Sequence, residues 1–143
     1  MSESFLLDTS ALMALTDEEP GAERVRELVT QALSADLALH GCFASLTEVQ
    51  YSKTYNVGHA RAAQIIADLK NLPIAWVHSD DALCASAAVW KADHKVSFAD
   101  AFVVATAVRV NAIVVHKDPE LIKLGRLIRQ EVLPLKKATT SAV

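Results

Sequence analysis

Four acidic residues stand where a chain can do chemistry: Asp8, Glu48, Asp100 and Asp118. Asp8 directly follows the apolar run Phe5-Leu6-Leu7, and Asp118 follows the run 112–115 with only His116 and Lys117 between. Asp100 lies three residues after Ser97, in the first turn of an apolar stretch, and Glu48 lies one to two helical turns beyond a second apolar run. Two carboxylates ~5 Å apart at an effective dielectric near 20 repel by about 3 kcal/mol, or roughly two pKa units. Four such groups cannot all stay ionised around an empty cavity, so either some are protonated or a cation sits among them. Carboxylate oxygens suit hard cations such as Mg²⁺ and Mn²⁺. Those ions in turn suit phosphate chemistry, where they offset phosphoryl charge and activate water.

Each acid also has an ordinary reading. Asp8 and Asp118 are good helix N-caps, the latter followed by Pro119 at the first helical position. Ser97-x-x-Asp100 has the outline of a capping box. Glu48 alone is a solvated helix residue, and Asp17-Glu18-Glu19 reads as a solvated loop. The set says more than its members, because Asp100 sits between Ala99 and Ala101 in a stretch apolar nearly all round. An unpaired charge buried there is costly.

The elements that must position these acids are short apolar strands alternating with helices. Strands are expected at 5–7, 37–41, 74–77 and 112–115, with a last edge strand at 131–133. Helices are expected at 11–16, 22–35, a long region broken at Asn56-Val57-Gly58, 80–95, 98–110, and a short one from Asp118. That alternation predicts an α/β fold, a central and mainly parallel sheet with helices on both faces. In open parallel sheets, ligand sites form at the carboxyl ends of the strands, which is where Asp8 and Asp118 fall.

The 143 residues make one domain, expected over 1–135, with Lys136 to Val143 read as a frayed tail. Hydrophobic residues at 52% exclude global disorder and leave an apolar surplus that points to a partner or a second copy. The net charge of −3 is not that of a protein that coats DNA. The N-terminus has no basic, apolar leader and no run approaches the ~18 residues of a membrane span, so a cytoplasmic location is expected. Cys42 and Cys84 are expected as two reduced thiols.

Four stretches, Leu6-Leu7-Asp8-Thr9-Ser10-Ala11-Leu12, Leu46-Thr47-Glu48-Val49, Val96-Ser97-Phe98-Ala99-Asp100-Ala101 and Ile113 through Asp118 to Leu121, resemble the PIN-domain family in order and spacing. Within it they are most similar to the VapC-type toxins of toxin–antitoxin pairs, and the likeness runs from about Phe5 to Leu135. The resemblance implies a three-layer α/β/α domain and a metal-dependent endoribonuclease. It implies Asp8, Glu48, Asp100 and Asp118 as the catalytic acids. Asp8 and Asp100 would be the principal Mg²⁺ or Mn²⁺ ligands, completed by Asp118 and, directly or through water, by Glu48. Ser10 would sit near the scissile phosphate. A cognate antitoxin, an RNA substrate and a homodimer are the implied partners, with no sequence-specific DNA binding by this chain itself. One departure is His116, where the family commonly has Thr or Ser; a histidine there could donate to phosphate or to Asp118.

Two rival readings place an acid after the first strand. A haloacid-dehalogenase-like phosphatase needs a second Asp where this chain has Ser10. A receiver-type domain needs an acidic pair at the first strand's end, and this chain has one acid there. Within the family, an RNA-maturation nuclease or a degenerate, partner-binding copy remains open. Lys53, Arg61, Lys91, Lys95 and Lys117 are scattered near the acids and would form a rim for the RNA backbone, and no aromatic platform for bases is evident.

Overall fold

The expected apolar runs become five parallel strands, and each connection between neighbours is long enough to carry a helix. The computed structural model describes residues 3–135; the tail at 136–143 lies outside the described residues. In chain order the elements are β1 (Ser4–Leu7), α1 (Thr9–Thr16), α2 (Ala22–Leu33), β2 (Ala38–Cys42), α3 (Phe43–Lys70), β3 (Ala75–Val77), α4 (Asp81–Asp93), α5 (Phe98–Val110), β4 (Ile113–His116), α6 (Pro119–Ile122) and β5 (Gln130–Val132). A short 3-10 turn at Gly125–Leu127 precedes β5.

The sheet order is β3-β2-β1-β4-β5, with β1 in the middle. Phe5, Leu6 and Leu7 pair in register with Ile113, Val114 and Val115 on one side and with Leu39, His40 and Gly41 on the other. Parallel pairs need crossover connections, and helices supply them on both faces. The strands' alternation then divides the core. Leu6, Cys42 and Val114 pack with Leu83, Phe102 and Val104 of α4 and α5. Phe5, Leu7, Leu39 and Val115 pack with Leu12, Val25, Leu28, Val49 and Ile66 of α1, α2 and α3. The result is the three-layer α/β/α arrangement the sequence implies.

Two local features bear on the site's frame. α3 is interrupted at Gly58, whose φ of +84° only glycine adopts at little cost, within the break expected at 56–58. Gly41 is required by close approach, since a Cβ there would stand 2.3 Å from the Trp76 ring. α5 is buried without interruption from Asp100 to Ala107, as a helix apolar all round must be, while its first residue, Phe98, is 73% exposed. Among the described residues, no helix is long and apolar enough to cross a membrane. Cys42 is buried and Cys84 exposed, both unbonded.

Candidate metal centre

The carboxyl ends of β1 and β4 lie side by side, and the first turn of α5 lies beside them. Asp8 N–H donates to the Val115 carbonyl at 3.2 Å, which seats Asp8 against the end of β4. Its side chain caps α1, with Oδ1 accepting from Ala11 N–H at 2.9 Å and from the Ser10 hydroxyl at 2.7 Å. Ser10 Oγ in turn accepts from Lys117 N–H at 2.9 Å, so one hydroxyl ties the exit of β1 to the exit of β4. Asp118 caps α6 by accepting from Glu120 N–H at 2.9 Å. Ser97 caps α5 by accepting from Asp100 N–H at 3.0 Å. The ordinary capping readings of these acids therefore hold, and they are compatible with gathering. Capping fixes where each carboxylate points.

Asp8, Asp100 and Asp118 converge: one carboxylate oxygen from each lies within 4.8 Å of the others. Asp8 is 2% exposed and Asp100 is 9% exposed. Among the described residues, no ion pair forms with any of the three. Burial, then the neighbouring Asp100 and Asp118 charges, push Asp8 up to about 7 against the opposing pull of its Ser10 and Ala11 hydrogen bonds. Burial and the adjacent Asp118 push Asp100 up to about 7 as well. Three gathered carboxylates, offering only oxygen donors, fit a hard divalent cation.

Glu48 does not join the trio. It stands half-buried on α3, where its Oε1 accepts from the Thr9 hydroxyl at 2.5 Å and its Oε2 faces the Tyr51 hydroxyl at 3.5 Å. Thr9, the residue that holds it, gave no signal in the sequence beyond its place next to Asp8.

Three sequence expectations need correction. His116 is fully buried and does not donate to Asp118. Its Nδ1 accepts from Asp118 N–H at 3.0 Å, so the opposite nitrogen carries the proton and donates to Gln130 Oε1 at 2.8 Å. Burial holds its pKa below the usual imidazole range, in keeping with that neutral form. Histidine thus braces the Asp118 turn from behind. Two of the five cations of the expected basic rim are also paired within the chain. Lys117 pairs with Glu19 at 2.9 Å, Lys53 is buried against Asp17, and Lys91 donates to the Val96 carbonyl at 2.8 Å. Finally, the Asp17–Glu19 loop is not simply solvated, since Glu18 also pairs with Arg26 at 2.8 Å.

A family model described as the PIN domain matches residues 5–127. No curated protein matches in sequence. Solved structures share the fold. VapBC2 from Rickettsia felis, bound to a DNA fragment from its promoter, superposes with a TM-score of 0.72 at 13% identity, covering 92% of this chain and 99% of that chain. DNA-bound VapBC from Salmonella typhimurium gives 0.70 at 16%, covering 92% and 98%. Mycobacterium tuberculosis VapC20, a toxin that cleaves the sarcin-ricin loop, gives 0.66 at 21%, covering 91% and 99%.

Proposed function

The chain belongs to the PIN-domain family, and from that premise we propose that it is a metal-dependent endoribonuclease of the VapC type, the toxin of a toxin–antitoxin pair. The observation that carries the reading is the gathering of Asp8, Asp100 and Asp118 within 4.8 Å, with no ion pair to any of them among the described residues. These three would hold Mg²⁺ or Mn²⁺. A bound divalent cation supplies positive charge to the scissile phosphate and acidity to the attacking water. Glu48, hydrogen-bonded to Thr9 next to Asp8, would take the water's proton. Ser10 positions the substrate through Asp8, whose carboxylate it orients. Hydrolysis leaves a 5′-phosphate and a 3′-hydroxyl, with no covalent enzyme intermediate.

The structural neighbours that are VapBC complexes support an antitoxin as partner. The apolar hollow between α4 and α5, lined by Ala87, Ala88, Ala101 and Phe102, supports a protein-binding face, including one for a second copy. A cytoplasmic site of action follows from an RNA target.

The test is cleavage of cellular RNA by the purified protein, with 5′-phosphate ends mapped. Cleavage should require Mg²⁺ or Mn²⁺, stop with EDTA, and vanish in Asp8→Asn, which keeps the helix cap. Cleavage by Asp8→Asn at the wild-type rate would overturn the assignment.

A further inference from the structure

The turn that carries Asp118 is held at three successive residues. The His116 carbonyl accepts from Leu133 N–H at 2.7 Å, Lys117 N–H donates to Ser10 Oγ at 2.9 Å, and Asp118 N–H donates to His116 Nδ1 at 3.0 Å. The last of these bonds depends on a residue outside the turn. Gln130 on β5 pairs in register with Val114, so its side chain shares a sheet face with that of His116, two residues further along β4. Its Oε1 meets His116 Nε2 at 2.8 Å, and its Nε2 donates to the Gly125 carbonyl at 2.8 Å.

This relay has one polarity. A backbone carbonyl only accepts and a backbone N–H only donates. Gly125 at one end therefore fixes the Gln130 amide with its oxygen toward the ring. That oxygen takes the proton of His116 Nε2, and Nδ1 is left as the acceptor that Asp118 N–H needs at the other end. Turning the amide over would face its oxygen to the Gly125 oxygen and set a ring N–H against Asp118 N–H. The Asp118 side chain is fixed separately, by accepting from Glu120 N–H. The relay thus sets where the turn stands, and the cap sets where its carboxylate points. Groups standing behind a metal ligand orient it, and their loss weakens metal binding by ~10–100-fold. We propose that Gln130 is a positioning residue of the metal centre, which through His116 locks the turn that offers Asp118 to the ion. The proposal rests on the metal-dependent reading above and leaves the reacting atoms to the acids.

Binding of Mn²⁺ to the full chain, without RNA, is measured by calorimetric titration. Gln130→Met keeps the length of the side chain and removes both amide bonds, and affinity should fall about 10- to 100-fold. Glu131→Ala is the control, because Glu131 ties the same strand to Arg24 at 2.7 Å and stands outside the relay. Its affinity should stay within about twofold of the parent. Histidine side-chain ¹⁵N spectra, with the His116 signals assigned by their loss in His116→Asn, should place the parent's proton on Nε2. An equal loss in both variants overturns the proposal, since Gln130 would then only hold β5. So does a parent His116 with its proton on Nδ1, a result that does not depend on Gln130→Met folding. A parent that binds no Mn²⁺ removes the metal reading and the proposal with it. A parent that binds tightly beside an unchanged Gln130→Met removes the proposal alone.

Discussion

The loop from Asp17 to Glu19 and the cluster of Asp8, Asp100 and Asp118 are both triplets of acids, and only the loop is neutralised from within. Asp17 meets Lys53, Glu18 meets Arg26 and Glu19 meets Lys117. These pairs pin the end of α1 to α3, to α2 and to the exit of β4. Among the described residues the cluster has no such partner, and burial and mutual repulsion hold two of its members up to about 7. Acid content alone therefore distinguishes nothing. What separates a structural acid from a candidate metal ligand here is whether the fold brings a cation to it.

The strongest way to break that contrast is Asp100→Asn, which keeps size and removes charge. RNA cleavage should fall at least about 100-fold, while the metal-free protein should melt higher at pH 8 than the parent, because a repulsive charge is gone. A lower melting temperature would mean that Asp100 is structurally paired after all.

The pH dependence of the metal-free protein sharpens the same point. Asp8 and Asp100 have folded values of about 7 against an ordinary 3.8, so the folded state binds more protons between those limits. Stability must then fall as pH rises through that window. Melting followed by calorimetry in EDTA should drop by about 5 °C or more between pH 5 and pH 8. Saturating Mg²⁺ or Mn²⁺ should flatten the slope.

On the neutralised side, Lys53 is 6% exposed and Asp17 about a third exposed. Lys53→Met should cost about 2 kcal/mol in denaturant unfolding, since water takes over part of the solvation of Asp17. Cleavage per folded molecule should be unchanged. The smallest effect is expected for Thr9→Val, which releases Glu48 without touching the trio. Cleavage should slow about 3- to 5-fold, the worth of one hydrogen bond, with binding of metal intact by calorimetric titration.

Much of this was readable in the residues. Asp8, Asp100 and Asp118 each follow a strand or open a helix, so local pattern places them on one rim. The break in α3 follows from Asn56-Val57-Gly58, and the last strand falls one residue earlier than expected, at Gln130–Val132. What local pattern cannot carry is pairing across the chain. Lys117 looks like a phosphate-gripping lysine until the fold brings Glu19 to it, and Lys53 looks solvated until α1 ends against it. His116 reads as a donor to substrate because its partner, Gln130, arrives from the neighbouring strand. Phe98 reads as core because the helix it opens is core. Only its position in the first turn leaves the ring outside.

The central place of β1 has a consequence for timing. Its carboxyl-end acid is made before its neighbour β4 and the turn bearing Asp118, with five helices and two strands between. A growing chain emerging from the ribosome therefore carries an incomplete set of ligands until that strand docks. The acid cluster is in this way assembled late, once the final strands are in place.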